Sequence, residues 1–338
     1  GKTHLAIGIG RAVVEAGYSV LFVTATELAA ALERAHTEGR LAERLAHYAR
    51  PKLLVVDELG YLPFDKQAAN LLFQLVNRRY EKGATLITTN QPVTQWGAVF
   101  GDEMVAAMTS VGVDGAIIVS SFAAYEYDPS YAIEVYNKYP DKFRLVTPVD
   151  ADNPAIDDIV TNWSKEPGAR GIRIRMRDGL PMDPDHPGLH KAFAAAGRLG
   201  LPVNVLCWGI IDKALPHIRK HPDTVMVIDH LGLLQPYKPP VPADVWADLP
   251  KLLDLAQYPN VRVKVSGACT MSHRPFPYDD IWEPVMKVID TFGLDRCMWG
   301  TDWTRTIQML TYEQGVAPFR ETTRLSASDK AKLMGGTV

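Results

Sequence analysis

Chemistry in this sequence is concentrated where apolar runs give way to polar residues. "TVMVIDHLG" ends on Asp229-His230, "VRVKVSG" on Ser266, and "RCMWGTDW" on Thr301-Asp302. A histidine and an aspartate at such ends suit metal ligation, with His230 and Asp302 as the candidate ligands. The same pair suits general acid–base work, because a carboxylate takes a proton from water and an imidazole holds or returns one. Arg173 and Arg175 alternate with Ile172 and Ile174, which puts both guanidinium groups on one side of a strand, where they can hold a substrate carboxylate. A second constellation lies in the first hundred residues. Gly1-Lys2-Thr3 stands at the start of a helical pattern, where the dipole favours anions. In a phosphate-binding loop the lysine reaches the outer phosphates and the hydroxyl residue binds magnesium. Asp57 is then placed to hold the ion through water, Glu58 to polarise an attacking water, and Asn90 to orient it or sense the γ-phosphate. Each type also has an ordinary structural reading: a loop histidine, an arginine paired with an acidic neighbour, an aspartate capping a helix.

The elements that must position these residues are legible in the apolar periodicity. "THLAIGIGRAVVEAG" reads as a helix closed by Gly17, and "YSVLFVT" as a strand. Residues 27–49 read as two helical stretches broken near Gly39, "KLLVVDE" as a buried strand, "KQAANLLFQLVNRRYEKG" as a helix and "ATLITTN" as a strand. That alternation predicts a parallel sheet covered on both faces. From Thr109 the rhythm changes. "VDGAIIVSS", "FRLVTPVD", "GIRIRM", "LPVNVLCWG", "TVMVIDHLG", "VRVKVSG" and "RCMWGTDW" read as seven strands with helices between them, the repeating unit of a TIM barrel short of one strand. The expected fold is therefore α/β, a partial parallel sheet over residues 1–108 followed by an incomplete barrel over 109–338. The joint near Met108-Thr109 has no Pro, Gly or Ser linker.

With 338 residues, 47% apolar and 22% charged, the chain reads as a core-forming protein of two domains. A net charge of −3 gives no general affinity for nucleic acid, and Arg78-Arg79 reads as a solvated helix face. Cys207, Cys269 and Cys297 are few and scattered, which suits free thiols in a reducing cytoplasm. No apolar run approaches the roughly 18 residues of a membrane span, and the opening residues lack the pattern of a signal peptide.

"GKTHLAIGIG", "LLVVDELGYLPFDKQAANLLFQLVNRRYE" and "LITTNQPVTQWGAVFGDEMVAAM" resemble the IstB-type ATPases, the DnaC-related AAA+ helpers of bacterial transposition, from Gly1 to about Met108. The resemblance implies a partial P-loop NTPase sheet that binds ATP and Mg2+ through Gly1, Lys2, Thr3, Asp57, Glu58 and Asn90. It also implies assembly into oligomers, with a transposase and DNA as partners. The family's full Gly-x-x-x-x-Gly-Lys-Thr loop is represented here by its closing three residues.

"VDGAIIVSS", "YPDKFRLVTPVD", "ARGIRIRM", "VIDHLG", "YPNVRVKVSG" and "DRCMWGTDW" are similar to the amidohydrolase-related family of TIM-barrel hydrolases, from about Val111 onward. That family includes metal-dependent hydrolases and decarboxylases of small carboxylated compounds, and lactonases that need no metal. The resemblance makes Asp302 the general base and His230 a catalytic histidine or ligand, while Arg173, Arg175 and Ser266, read from their places on the strands, stay the candidates for substrate. A divalent metal such as Zn2+ is implied for the metal-dependent branch. The family's first-strand His-x-His has no counterpart in this chain, and the absence of its fifth-strand histidine points toward the metal-free, lactonase-like branch. Three readings follow: a cytoplasmic amidohydrolase-type enzyme acting on a small molecule, an ATP-binding transposition helper, and a fusion in which neither module works.

Overall fold

The computed structural model describes residues 1–59, 66–79, 83–89, 104–120, 122–306 and 309–337. It divides into two compact units, Gly1–Met108 and Thr109–Val338.

In the first unit, strands β1 (Val20–Thr24), β2 (Leu53–Leu59) and β3 (Ala84–Thr89) form a parallel sheet in that order. Side chains of a strand alternate between its faces, so a run apolar at every position is covered twice. In β2, Leu53 and Val55 pack with Ala6 of the helix Lys2–Glu15 on one face. Leu54 and Val56 pack on the other with Leu28, Leu32, Leu45 and Leu75, from helices Ala25–Thr37, Leu41–Ala49 and Lys66–Arg79. Gly17 and Gly39 follow two of these helices at φ +85° and +71°, the left-handed geometry that stops a helix cheaply only at glycine. Helix Lys2–Glu15 is one-sided, leaving Leu5, Ile7 and Val14 exposed. Arg79 departs from the solvated face expected of it. It is 1% exposed, and its guanidinium donates to the carbonyls of Tyr48, Pro51 and Ala84 at 2.9, 2.9 and 2.6 Å. Carbonyls that the helix and strand ends leave without partners explain why a cation is buried there.

In the second unit seven parallel strands follow one another in a single sheet: β4 (Ala116–Val119), β5 (Phe143–Pro148), β6 (Ala169–Arg175), β7 (Val203–Leu206), β8 (Met226–Ile228), β9 (Val261–Ser266) and β10 (Cys297–Gly300). Each pairs with the next in sequence, and β4 and β10 are the two edges among the described strands. The core lies between this sheet and its helices. Ile172, Ile174, Val203, Val205, Val263 and Val265 meet residues such as Val160, Phe193, Leu252 and Val285, all essentially buried. The other face of the strands carries polar side chains, Arg173 and Arg175 on β6, Asn204 on β7, and Arg262, Lys264 and Ser266 on β9, beside the apolar Val146, Val227 and Met298. The sheet curls around this second face as a partial barrel, so Arg173 of β6 and Lys264 of β9 reach one carboxylate between them.

Candidate functional site

The strand ends of the second unit carry an unusual density of left-handed backbone. β8 stops at Ile228, and His230, Leu231 and Gly232 follow at φ +53°, +62° and +66°. Asp302, just past β10, has φ +54°, and Gly267, just past β9, has φ +70°. For a residue with a Cβ this region costs about 1–2 kcal/mol, so such a run persists only where surrounding contacts fix it. The turn after β8 sends Asp229 to the polar face and brings His230 to the ends of β9 and β10.

Asp229 is fully buried. Nε and Nη2 of Arg173 both stand 2.8 Å from its Oδ2, and Nζ of Lys264 stands 3.0 Å from Oδ1. Burial alone would raise its pKa; the two cations outweigh it and hold the carboxyl well below the usual carboxylate range. Burial pushes Lys264 down, and its ion pair with Asp229 resists that. Arg173 therefore has an acidic partner inside the protein, so the anchoring of a substrate carboxylate expected of it conflicts with this ion pair. Arg175 lies apart from this cluster, its guanidinium 3.6 Å from the Phe122 ring centroid, in a recess also lined by Tyr127, Val149, Leu180 and Pro181.

Above this cluster, Nδ1 of His230 lies 2.9 Å from Oγ of Ser266 and 3.4 Å from Oδ2 of Asp302. Both partners approach the same ring nitrogen, so the three residues do not form a relay that activates the serine, which requires one partner on each nitrogen. Burial lowers the His230 pKa against the pull of Asp302 and Asp229, leaving the imidazole neutral at pH 7. Asp302 accepts a short hydrogen bond from Nε of Arg305. Nη1 of Arg305 donates to the Pro236 carbonyl at 2.8 Å, and Nη2 donates to Oε1 of Gln235. Gln235 in turn donates to the backbone carbonyls of His230 and Ser266 at 3.1 and 2.9 Å, tying the ends of β8 and β9 together. A Cβ on Gly267 would stand 2.1 Å from Nη2 of Arg305, so glycine is required there for space as well as for φ.

Sequence reasoning passed over Lys264 and Arg305, though each left a signal. Lys264 alternates with Val263 and Val265 just as Arg173 alternates with its isoleucines. Arg305 lies three residues after Asp302, the spacing of neighbours on a helical turn. For a metal, the donor set is thin. Among the described residues no three His, Cys, Asp or Glu side chains converge, and the carboxylate oxygen nearest His230 already faces a guanidinium. These residues do not fit a metal centre with three protein ligands. The three cysteines are buried free thiols, each raised by burial to about 12, and take no part in either site.

In the first unit, Oγ1 of Thr3 donates to Oδ1 of Asp57 at 3.3 Å, and the Thr88 hydroxyl makes a short bond to the same oxygen. Nζ of Lys2 donates to the Thr89 carbonyl at 2.6 Å. Gly1, Lys2 and Thr3 at the helix start are thus brought to the C-terminal ends of β2 and β3, beside a carboxylate that is 3% exposed. Glu58 is exposed at φ +63°, its backbone N–H bonded to Thr88 Oγ1 at 3.0 Å. Asn90 lies outside the described residues. An ammonium, a hydroxyl and a carboxylate at a helix N-terminus fit a nucleotide with its magnesium.

The family model described as Amidohydrolase matches residues 88–337. The chain belongs to the amidohydrolase family. The model for IstB-like ATP binding proteins matches residues 1–112. The first part is 44% identical over 106 residues to an IS21 insertion-sequence protein of Pseudomonas aeruginosa described as ATP-binding, a match covering 31% of this chain and 40% of that one. The chain spans about two fifths of the length of the insertion-sequence relatives it matches. The amidohydrolase unit is 29% identical over 203 residues to an L-fucono-1,5-lactonase of Burkholderia ambifaria, covering 57% of this chain and 65% of that one. In fold it is similar to a zinc-bound amidohydrolase of Burkholderia multivorans, at 21% identity and TM-score 0.59 over 70% of this chain and 85% of that one. Among the described residues no helix is long and apolar enough to cross a membrane.

Proposed function

We infer that the amidohydrolase unit hydrolyses a small lactone or a related carboxylated ester, with Asp302 as the base that takes a proton from water. The observation that carries this is the approach of the Asp302 carboxylate to the buried His230 at 3.4 Å, at the C-terminal ends of β8 and β10. In parallel (β/α) sheets that end is where chemistry is assembled. Water attacks the ring carbonyl as Asp302 takes its proton. The carbonyl oxygen gathers negative charge, which an N–H of His230 can stabilise by hydrogen bonding. The C–O bond of the ring then breaks, and the proton held by Asp302 returns to the departing alkoxide, giving a hydroxy acid. Ser266 orients the imidazole, and Arg175, in its separate recess, is the remaining candidate of the two arginines for a substrate carboxylate. Similarity to a lactonase supports the substrate class.

The test is hydrolysis of a panel of sugar lactones and cyclic carboxylated esters by the full chain. Turnover should fall by about 10²–10⁴ in Asp302→Asn. Unchanged rates in that variant would remove the proposed base. A folded protein that turns over nothing would support a fusion without activity in this unit.

A second reading rests on the meeting of Lys2, Thr3 and Asp57: the first unit binds ATP with Mg2+ through Gly1, Lys2, Thr3, Asp57 and Glu58. When bound, the ion would shield phosphate charge, while Lys2 would hold the outer phosphates. Oligomers of this unit acting with a transposase on DNA belong to the same reading. Binding of a fluorescent ATP analogue should weaken at least tenfold in Lys2→Ala; equal affinity would sink it.

A further inference from the structure

Asp302 and His230 are separated by 3.4 Å between Oδ2 and Nδ1. That separation is about what two ligands on one tetrahedral ion at roughly 2.0–2.1 Å would show. By distance alone the pair could share a divalent cation. The surroundings argue otherwise. Nε of Arg305 is hydrogen-bonded to the same Oδ2, and the Arg305 side chain is 7% exposed. Its other donors are placed too, on the Pro236 carbonyl at 2.8 Å, on Gln235, and toward Thr270 Oγ1 at 3.4 Å. Trp208 and Tyr237 flank the guanidinium, with ring centroids 5.5 and 5.9 Å away. Gly267 leaves the space that Nη2 fills. A guanidinium held on so many sides cannot swing out to admit an ion, and a divalent cation on Oδ2 would sit against it with like charge.

We propose that Arg305 is the resident cation of this site, standing beside Asp302 where a divalent metal would otherwise bind, so that the site is built to work without one. The proposal rests on the reading of Asp302 and His230 as the reacting pair. Arg305 holds the carboxylate in place through its hydrogen bond to Oδ2, which makes it a positioning residue. The fixed charge supplied by a protein side chain needs no loading step, unlike a metal.

The experiment is zinc titration of the chelator-treated full chain, with bound zinc counted per chain and heat of binding recorded. Wild type and Arg305→Lys should show no zinc equivalent that depends on Asp302. Arg305→Met, which keeps length and removes charge, should take up one more equivalent than wild type, at least tenfold tighter than any site wild type offers there. Arg305→Met combined with Asp302→Asn should lose it. The proposal is overturned if wild type loses one bound zinc on Asp302→Asn, or if folded Arg305→Met binds no more zinc than wild type. The wild-type comparison stands even if Arg305→Met does not fold. Lactone hydrolysis measured on the same samples separates the two ideas: absent turnover with the expected zinc pattern fails the hydrolase reading alone.

Discussion

Asp57 and Asp229 are the same residue type in nearly the same place, each at the end of a strand with a parallel neighbour on both sides, and each almost fully buried. Their partners differ. The neutral hydroxyls of Thr3 and Thr88 approach Asp57, whereas Asp229 is held between Arg173 and Lys264. The two hydroxyls bring no countercharge to Asp57, as the proposed magnesium site requires. A carboxylate enclosed by two cations is already neutralised, and serves as scaffold. Asp302 is intermediate, with one guanidinium on one oxygen and an imidazole beside it. The role of a strand-end aspartate is thus decided by what faces it rather than by where it stands.

Substitution at Asp229 should give the largest effect. Asp229→Asn leaves Arg173 and Lys264 facing each other without an anion, and should cost about 3–5 kcal/mol in urea unfolding followed by tryptophan fluorescence. A cost below about 1 kcal/mol would show that solvent compensates the cations and would erase the contrast with Asp57.

Next in size is a pH effect on the outer layer of the same unit. His221 is 6% exposed and its pKa is lowered to about 4 by burial first, then by the charges of His190, His217 and Lys220. Its folded pKa lies below the unfolded value, so the unfolded chain binds more protons as pH falls. Stability is retained above about pH 6.5 and lost between there and pH 4, by roughly 3 kcal/mol. Replacing His221 with Gln should flatten this part of the stability–pH curve; an unchanged slope would place the loss elsewhere.

Smallest is Asp57→Asn, which preserves an acceptor for both hydroxyls. It should change the stability of the first unit by about 1 kcal/mol or less, read by circular dichroism in urea. A loss as large as that of Asp229→Asn would mean that Asp57 is structural too.

Element order was legible because the apolar pattern is strict. All seven strands of the second unit and the alternation of the first follow from runs such as "GIRIRM" and "KLLVVDE". The positions of His230, Ser266 and Asp302 at strand ends were legible for the same reason. What could not be read was pairing across the sheet. Nothing local in "IDHLG" says that Asp229 will meet an arginine 56 residues earlier, because that contact depends on how the sheet curls. The burial of Arg79 was hidden likewise, since its partners are carbonyls and carry no sequence signature. The absent histidines are visible in the sequence, but the guanidinium that faces Asp302 is not.

The order of strands in the second unit has a mechanical consequence. β7 stands at the centre with three strands on either side, while β4 and β10 are each held by one neighbour among the described strands. Thermal opening of such a sheet begins at its margins and reaches the middle last. The carboxylate assigned to chemistry follows the marginal strand β10, and the carboxylate assigned to scaffolding follows β8, next to the centre. By that order, the floor under Asp229 is expected to open later than the rim at Asp302. The ties from Arg305 and Gln235 span the ends of β8, β9 and β10, and so link that rim to the floor.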